Sequence, residues 1–391
     1  MKRFGAKLTV LLLLVTCAEL RPHPKPHRAR ELRGVWVATV ANLDWPSRRD
    51  LTPEQQRAEL IAIFDRAVSL HLNAIFLQVR PQADAIYPSS IEPWSEYLTG
   101  TMGKAPDPPY DPLQFAIAEA HARGLELHAW FNPFRARHES STTMSDSHMV
   151  AAHPEMVRSY GKYMWMDPGD DAVHRETLAV IADVVRRYEV DGVHLDDYFY
   201  PYPEDGVPFP DDATWQRYTA GGGTMSRGDW RRDNINRFVR DLYATVKEIK
   251  PKVEVGISPF GIWRPHHPRQ IEGLDAYDDI YADSRLWLQR GWVDYLAPQL
   301  YWPIDRRAQS FPVLLHWWTD QDRRGRGIVV GMSVNRVATG RSGSITADEI
   351  ARQIAIVRRE SGAVGFILFS ARTLMQDRGG IDAVLDRAIG R

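Results

Sequence analysis

The run Asp191-Gly192-Val193-His194-Leu195-Asp196-Asp197-Tyr198-Phe199-Tyr200-Pro201 brings a histidine, two adjacent carboxylates and a set of aromatic side chains to the end of a β-rich stretch. Adjacent carboxylates leaving a strand suit three tasks: capping a helix, holding a cation, or supplying a proton while the neighbour modulates the donor. In the last case mutual repulsion pushes one pKa upward. A carboxylic acid that protonates a leaving oxygen, with a second carboxylate about 5 Å away for retention or roughly 6.5–9.5 Å away for inversion, is the machinery that cleaves glycosidic bonds. The aromatic residues fit the same chemistry. Trp45, Trp94, Trp130, Trp165, Trp263 and Trp302 occupy loop or strand-end positions, where rings stack on the apolar faces of sugars while Asn, Gln, Asp and Arg take the hydroxyls. Thirteen Trp and fifteen Tyr are more than a core needs, although Trp317 and Trp318, inside a helical stretch, read as packing residues.

Strands must hold these groups in place. From residue 32 onward short β-rich runs alternate with amphipathic helical stretches, which argues for a parallel sheet wound with crossover helices. Eight strands are predicted, at residues 32–39, 73–79, 125–132, 190–196, 253–259, 293–301, 327–334 and 363–370. Helices are predicted between them, including 53–70 behind Thr52, 112–123 behind Asp111 and 347–360 behind Thr346. The expectation is an α/β protein whose residues 32–391 form one (β/α)8 barrel. The long insertions 80–111, 133–172 and 198–229 each follow a strand, so they belong at the C-terminal face, where barrel enzymes carry their chemistry.

Strand parity then sorts side chains. Ile75, Leu77 and Val79, then Leu125, Leu127, Ala129 and Phe131, then Val193 and Leu195 make apolar sets facing the helices. The opposite sets face the interior: Phe76, Gln78 and Arg80; Glu126, His128, Trp130 and Asn132; His194 and Asp196; Ser258; Tyr295, Ala297, Gln299 and Tyr301; Ser333 and Asn335. Low in a barrel, Glu126 and His128 are read equally well as satisfied structural groups. Asp196, at a strand end, reads as a catalytic or substrate-contacting group.

Composition bounds the partners. Lys plus Arg number 49 against 50 Asp plus Glu, so the net charge of -1 gives no general attraction to nucleic acid or acidic membranes. A single Cys excludes an intrachain disulfide and any multi-cysteine metal site. His266-His267 and Asp278-Asp279 read as solvated surface, and neither metal nor other cofactor is expected. At the N-terminus Lys2, Arg3 and Lys7 precede an apolar run, 8–15, too short to span a bilayer. Residues 1–17 therefore read as an export signal. They end in Leu14-Val15-Thr16-Cys17, which is similar to a bacterial lipobox with Cys17 as the lipidated residue; an ordinary secretory signal is the other reading. Residues 18–31, rich in Pro, His and basic side chains, form a tether. Ala18 after Cys17 gives no Asp retention signal, so by resemblance to enteric lipoproteins the expected home is the outer membrane, facing the periplasm.

Several motifs in order resemble the glycosyl hydrolase-like 10 family: Leu32-Arg33-Gly34-Val35-Trp36-Val37, Trp130-Phe131-Asn132-Pro133, the Asp191 to Pro201 run, Gly256-Ile257-Ser258-Pro259-Phe260-Gly261, Tyr281-Ala282-Asp283-Ser284-Arg285 and Pro298-Gln299-Leu300-Tyr301-Trp302. The resemblance implies a barrel glycoside hydrolase of the cell envelope, often a lipoprotein. The family includes a division-site glycosidase of denuded peptidoglycan strands, so by analogy the substrate is glycan stripped of stem peptides. Asp196 matches the strand-four carboxylate that barrel glycosidases commonly use. Its partner stays open among Asp197, Asp283, Asp44 and Glu204. Chitinase-like barrels end their strand-four motif in Glu, where this chain has Tyr198; an N-acetyl group of the substrate could still serve as nucleophile, oriented by Asp and hydrogen-bonded by Tyr301. Asp44, Trp45, Gln78, Arg80, His128, Trp130, Asn132, His194, Tyr198, Ser258, Gln299, Tyr301 and Trp302 are the expected sugar contacts. Two further readings are a glycosidase of another polysaccharide, such as an α-glucan, and a non-catalytic glycan-binding lipoprotein. No protein partner is indicated.

Overall fold

The computed structural model describes residues 30–390. The strands in chain order are β1 (Leu32–Val37), β2 (Ala74–Arg80), β3 (Glu126–Phe131), β4 (Arg135–Arg137), β5 (Val157–Tyr160), β6 (Tyr163–Met166), β7 (Gly192–Leu195), β8 (Glu254–Ile257), β9 (Tyr295–Leu296), β10 (Ile328–Ser333) and β11 (Ala363–Phe369). Eight of them close a parallel barrel in the order β1-β11-β10-β9-β8-β7-β3-β2, with helices between successive strands. The protein is a (β/α)8 barrel.

The chain forms this barrel because its strands carry two apolar codes. One buried cluster contains Val35, Val37, Ile75, Leu77, Val79, Leu127, Phe131, Val193 and Leu195, packed against the helices. A second, smaller cluster fills the interior with Trp36, Phe76, Trp130, Tyr295, Val329 and Ile367. Adjacent residues of one strand thus fall in different clusters, the alternation a pleated strand requires. Bulky interior groups sit opposite glycines: a Cβ on Gly192 would lie 2.1 Å from His128 Nδ1, and one on Gly256 would lie 1.9 Å from the Tyr295 ring. Helices begin where the caps stand. Thr52 and Gln55 form a reciprocal capping box at Pro53–Ser69, Asp111 accepts from Leu113 and Gln114 N–H at Pro112–Ala122, and Thr346 accepts from Glu349 N–H at Ala347–Val357.

Three departures from the sequence reading affect the site. First, the strand expected at 293–301 is regular only at Tyr295–Leu296; beyond Pro298, which has no N–H to give, pairing continues as single bridges from Gln299 to Phe260 and Gly331. Second, the pairing of β2 with β3 shifts between Gln78 and Arg80, so Arg80 comes opposite the outward-facing Phe131 and leaves the interior face. Third, the insertion after β3 is not a plain loop: β4, β6 and β5 form an antiparallel sheet in that order. The insertion after β2 is locked to this region by Glu96, a buried carboxylate that accepts from Thr142 and Thr143 N–H and from the Arg49 guanidinium. Trp318 is buried and donates to Gly261 O, as a packing residue should, while Trp317 stacks on Trp263 at 5.8 Å. Among the described residues no helix is long and apolar enough to cross a membrane. Cys17, the signal 1–17 and the tether up to residue 29 lie outside the described residues.

Candidate active site

The C-terminal strand ends surround a cavity of about 290 Å3. Asp196 and Asp197 enter it from the end of β7, Gln78 from β2, Trp130 from β3, and Ser258, Gln299 and Tyr301 from the segments after β8 and β9. The antiparallel insertion sheet closes one side with Arg135 and His138, and the chain beyond β7 adds Tyr198 and Tyr202. Trp36 and Phe369 complete the apolar wall.

Asp196 is held by donors. Its Oδ2 accepts from Trp130 Nε1 at 3.1 Å and from the Asn132 amide, and its Oδ1 accepts from Tyr198 N–H at 3.3 Å. The Asn132 amide is itself oriented: its Oδ1 accepts from Gln78 Nε2 and from Arg135 Nη2, so its NH2 must face Asp196. Gln78 in turn is fixed by Thr39 and Val40 N–H, both donating to its Oε1 at 2.9 Å. Burial pushes the Asp196 pKa up to about 7; the Asp197 charge adds to the rise and Arg135 opposes it. Burial also raises Asp197, against hydrogen bonds from Tyr202 and Gln299 that favour its ionised form. The Arg135 guanidinium lies 5.2 Å from the centre of the Tyr198 ring and donates to Pro81 O, so its charge is fixed beside the pair. A carboxyl that holds its proton near neutrality beside a hydrogen-bonded second carboxylate is the pairing that general acid catalysis needs.

Of the expected site residues, the structure brings Asp196, Asp197, Gln78, Trp130, Tyr198, Ser258, Gln299 and Tyr301 to the cavity. Others lie elsewhere, for visible reasons. Trp45 is buried under the helix Pro53–Ser69 and donates to Gln56 O at 2.8 Å. Asp283 caps the helix Ser284–Arg290, accepting from Leu286 N–H and from Trp263 Nε1. Asp44 accepts from Ala38 and Arg372 N–H and from Ser370 Oγ, which ties the loop after β1 to the segment after β11. Arg80 is paired with Glu92 and donates to Asn132 O and Pro133 O behind the cavity wall. Trp302 packs edge-on against Phe260 at 5.6 Å, outside the cavity. Glu204 is exposed in the insertion after β7. Asn132 and His194 sit one layer behind the lining, and His128 lies deeper still, within 3.3 Å of Glu126. Asp278 of the Asp278-Asp279 doublet is ion-paired with Arg232 and Arg264.

Sequence reasoning missed Arg135, His138, Tyr202, Trp36 and Phe369. Trp36 was within reach, since Val35 and Val37 mark the outward set of β1. Phe369 was not, because β11 bulges beside Gly365 and the bulge resets its parity. Arg135, His138 and Tyr202 depend on how the insertions fold back, which no periodicity announces.

Comparison with known proteins extends this geometry. The family model described as Glycosyl hydrolase-like 10 matches residues 31–344. Glycosyl hydrolase YngK of Bacillus subtilis is 41% identical over 362 residues, covering 90% of this chain and 70% of that protein. Glycosyl hydrolase DigH of Escherichia coli K12 is 38% identical over 353 residues, covering 82% and 79% respectively. Among solved structures, α-L-fucosidase isoenzyme 2 from Paenibacillus thiaminolyticus superposes with a TM-score of 0.57 at 13% identity, over 92% of this chain and 49% of that one. This chain therefore spans about half the length of that enzyme. The PgaB (BpsB) glycoside hydrolase domain from Bordetella bronchiseptica gives 0.55 at 16% identity, over 91% and 98%. At these identities the structural likenesses show a shared fold.

Proposed function

The chain belongs to the glycosyl hydrolase-like 10 family, and from that membership we propose that it is an exported glycoside hydrolase acting on N-acetylated glycans of the cell envelope. Strands of peptidoglycan stripped of their stem peptides are the substrate class, by analogy with the family. That the protein is a glycoside hydrolase follows from its relatives; the substrate and the envelope location are this reading's own. Acylation at Cys17 would hold the barrel on the periplasmic face of the outer membrane.

The observation that carries the reading is the adjacent pair of buried carboxylates in an aromatic-walled cavity, one of them protonated near neutrality. Asp196 donates its proton to the departing glycosidic oxygen. Asp197 supplies negative charge to the anomeric centre as it becomes cationic, either directly or by orienting the acetamido group of the sugar as an internal nucleophile. Trp36 and Trp130 give the cavity an aromatic wall for sugar units, and Gln78, Gln299 and Tyr301 offer polar contacts.

Purified protein incubated with amidase-treated, peptide-free glycan strands, with intact sacculi and with an α-glucan tests the substrate class. Mass spectrometry should find soluble fragments from the denuded strands alone. Release from the α-glucan instead would refute the peptidoglycan assignment.

A further inference from the structure

Four arginines are buried among the described residues: Arg80, Arg135, Arg231 and Arg232. A guanidinium keeps its charge when buried, so it needs an anion beside it. Three of the four have one. Arg80 is paired with Glu92, Arg231 with Asp211, and Arg232 with Asp229 and Asp278. Arg135, only 5% exposed, forms no ion pair among the described residues. Its partners are Pro81 O at 3.0 Å, Asn132 Oδ1 at 2.7 Å and the face of the Tyr198 ring, none of them charged. It is also the one buried arginine that lines the cavity.

The two hydrogen bonds of Arg135 use one hydrogen each from Nε and Nη2. A guanidinium has five, and the rest, both on Nη1 included, meet no acceptor among the described residues. Nη1 is not sealed away from solvent, so it opens on the space that Arg135 lines. The neighbouring acids do not fill this gap. Asp196 takes its hydrogen bonds from Trp130, Asn132 and Tyr198, and Asp197 takes its own from Tyr202 and Gln299.

A second donor stands on the same wall. His138 follows β4 and lines the cavity with Arg135. The Ser140 N–H donates to His138 Nδ1 at 3.1 Å, and a backbone nitrogen only donates, so Nδ1 is bare. Burial and then the Arg135 charge lower the His138 pKa to about 4, so near neutrality the ring holds one proton, and it sits on Nε2. That N–H has no acceptor among the described residues.

Two neighbouring side chains thus offer the cavity N–H donors, and one of them carries an unpaired positive charge. We propose that Arg135 and His138 form a carboxylate subsite, which takes a free carboxyl group carried by the sugar beside Asp196 and Asp197. The subsite rests on the cavity being the glycan site of the proposed function, and it names a group which that glycan must carry. In envelope glycan the fitting group is the lactyl ether of N-acetylmuramic acid. Without its stem peptide this ether ends in a carboxylate, the shape and charge a guanidinium matches. With the peptide attached it is an amide, which has lost the charge and turns an N–H toward N–H donors.

The test compares two peptide-free glycan fragments that differ only at the lactyl group, one the free acid and the other its N-methylamide. Binding is measured by calorimetry on Asp196→Asn protein, whose amide mimics the protonated carboxyl and should leave the fragments uncleaved. The acid should bind at least about tenfold tighter than the amide, the size of one charge-assisted hydrogen bond. In the same background Arg135→Gln should bring the two affinities within about twofold of each other, and His138→Ala should narrow the gap by a smaller factor. Equal affinities for acid and amide, no binding of the acid, or a gap that survives Arg135→Gln would overturn the subsite. A purely structural role for Arg135 would weaken both fragments alike and leave the gap in place. If Arg135→Gln fails to fold, the gap itself and its response to His138→Ala still decide. Failure of the wild-type protein to cleave the acid fragment, with the gap intact, would count against the proposed hydrolysis and not against the subsite.

Discussion

Asp196 holds a proton at a pH where most carboxyls have lost theirs, and this has opposite effects on activity and on stability. As general acid it must be protonated, so kcat/KM should fall as pH rises through about 7, the value to which burial lifts it. Arg135 opposes that rise, so Arg135→Gln should move the falling limb to higher pH; a limb that stays in place in the pH–rate profile would show that another group sets it. For stability the sign is reversed. Between the unfolded value of 3.8 and the folded value of about 7, the folded protein keeps a proton that the unfolded chain has released, so Asp196 costs stability progressively as pH rises through that window. Asp196→Asn removes the ionisable group while keeping its shape and one of its two acceptor oxygens. It should therefore stabilise the fold by at least ~1 kcal/mol at pH 8 and hardly at all at pH 4, as denaturant titrations at the two pH values will show.

At the scale of elements, the barrel and its insertions do different work. The barrel depends on close approach: Gly365 in β11 has φ 153°, and a Cβ there would lie 2.0 Å from Leu32 O in β1. Gly365→Ala should cost about 3 kcal/mol or more in equilibrium unfolding, because backbone and not a movable side chain stands in the way. The insertion sheet depends on one buried charge. Removing the Glu96 carboxylate leaves the Thr142 and Thr143 N–H donors without their acceptor and takes one partner from Arg49, so Glu96→Ala should destabilise by about 2 kcal/mol. It should also raise KM, since Arg135 and His138 ride on the sheet it anchors. Unchanged KM would mean that the sheet holds its position without this tie. These two cases also explain what could be read in advance. The β-strands were legible because helices pack on one face and leave an apolar alternation, as in Ile75, Leu77 and Val79. The pairing of Arg135–Arg137 with Tyr163–Met166 was not, because it joins short segments by backbone bonds that leave no periodic trace.

At the scale of the whole molecule, the chain places its chemistry where the strands end and its bracing in the layers around them. Parity therefore brought Asp196, Trp130 and Gln299 to the right place, while Trp45, Arg80 and Asp283, equally suited by type to a sugar site, serve packing, an ion pair and a helix cap. Residue type alone could not separate these roles; a one-residue register shift in β2 was enough to send Arg80 behind the wall. The central claim is that Asp196 is the proton donor of a glycosidase. It is tested most directly by comparing wild type and Asp196→Asn for release of reducing ends from peptide-free glycan strands, with thermal unfolding measured on the same samples. Turnover should fall by about 10³-fold with the fold retained, the range a lost general acid accounts for. Undiminished turnover by a folded Asp196→Asn protein would contradict the assignment.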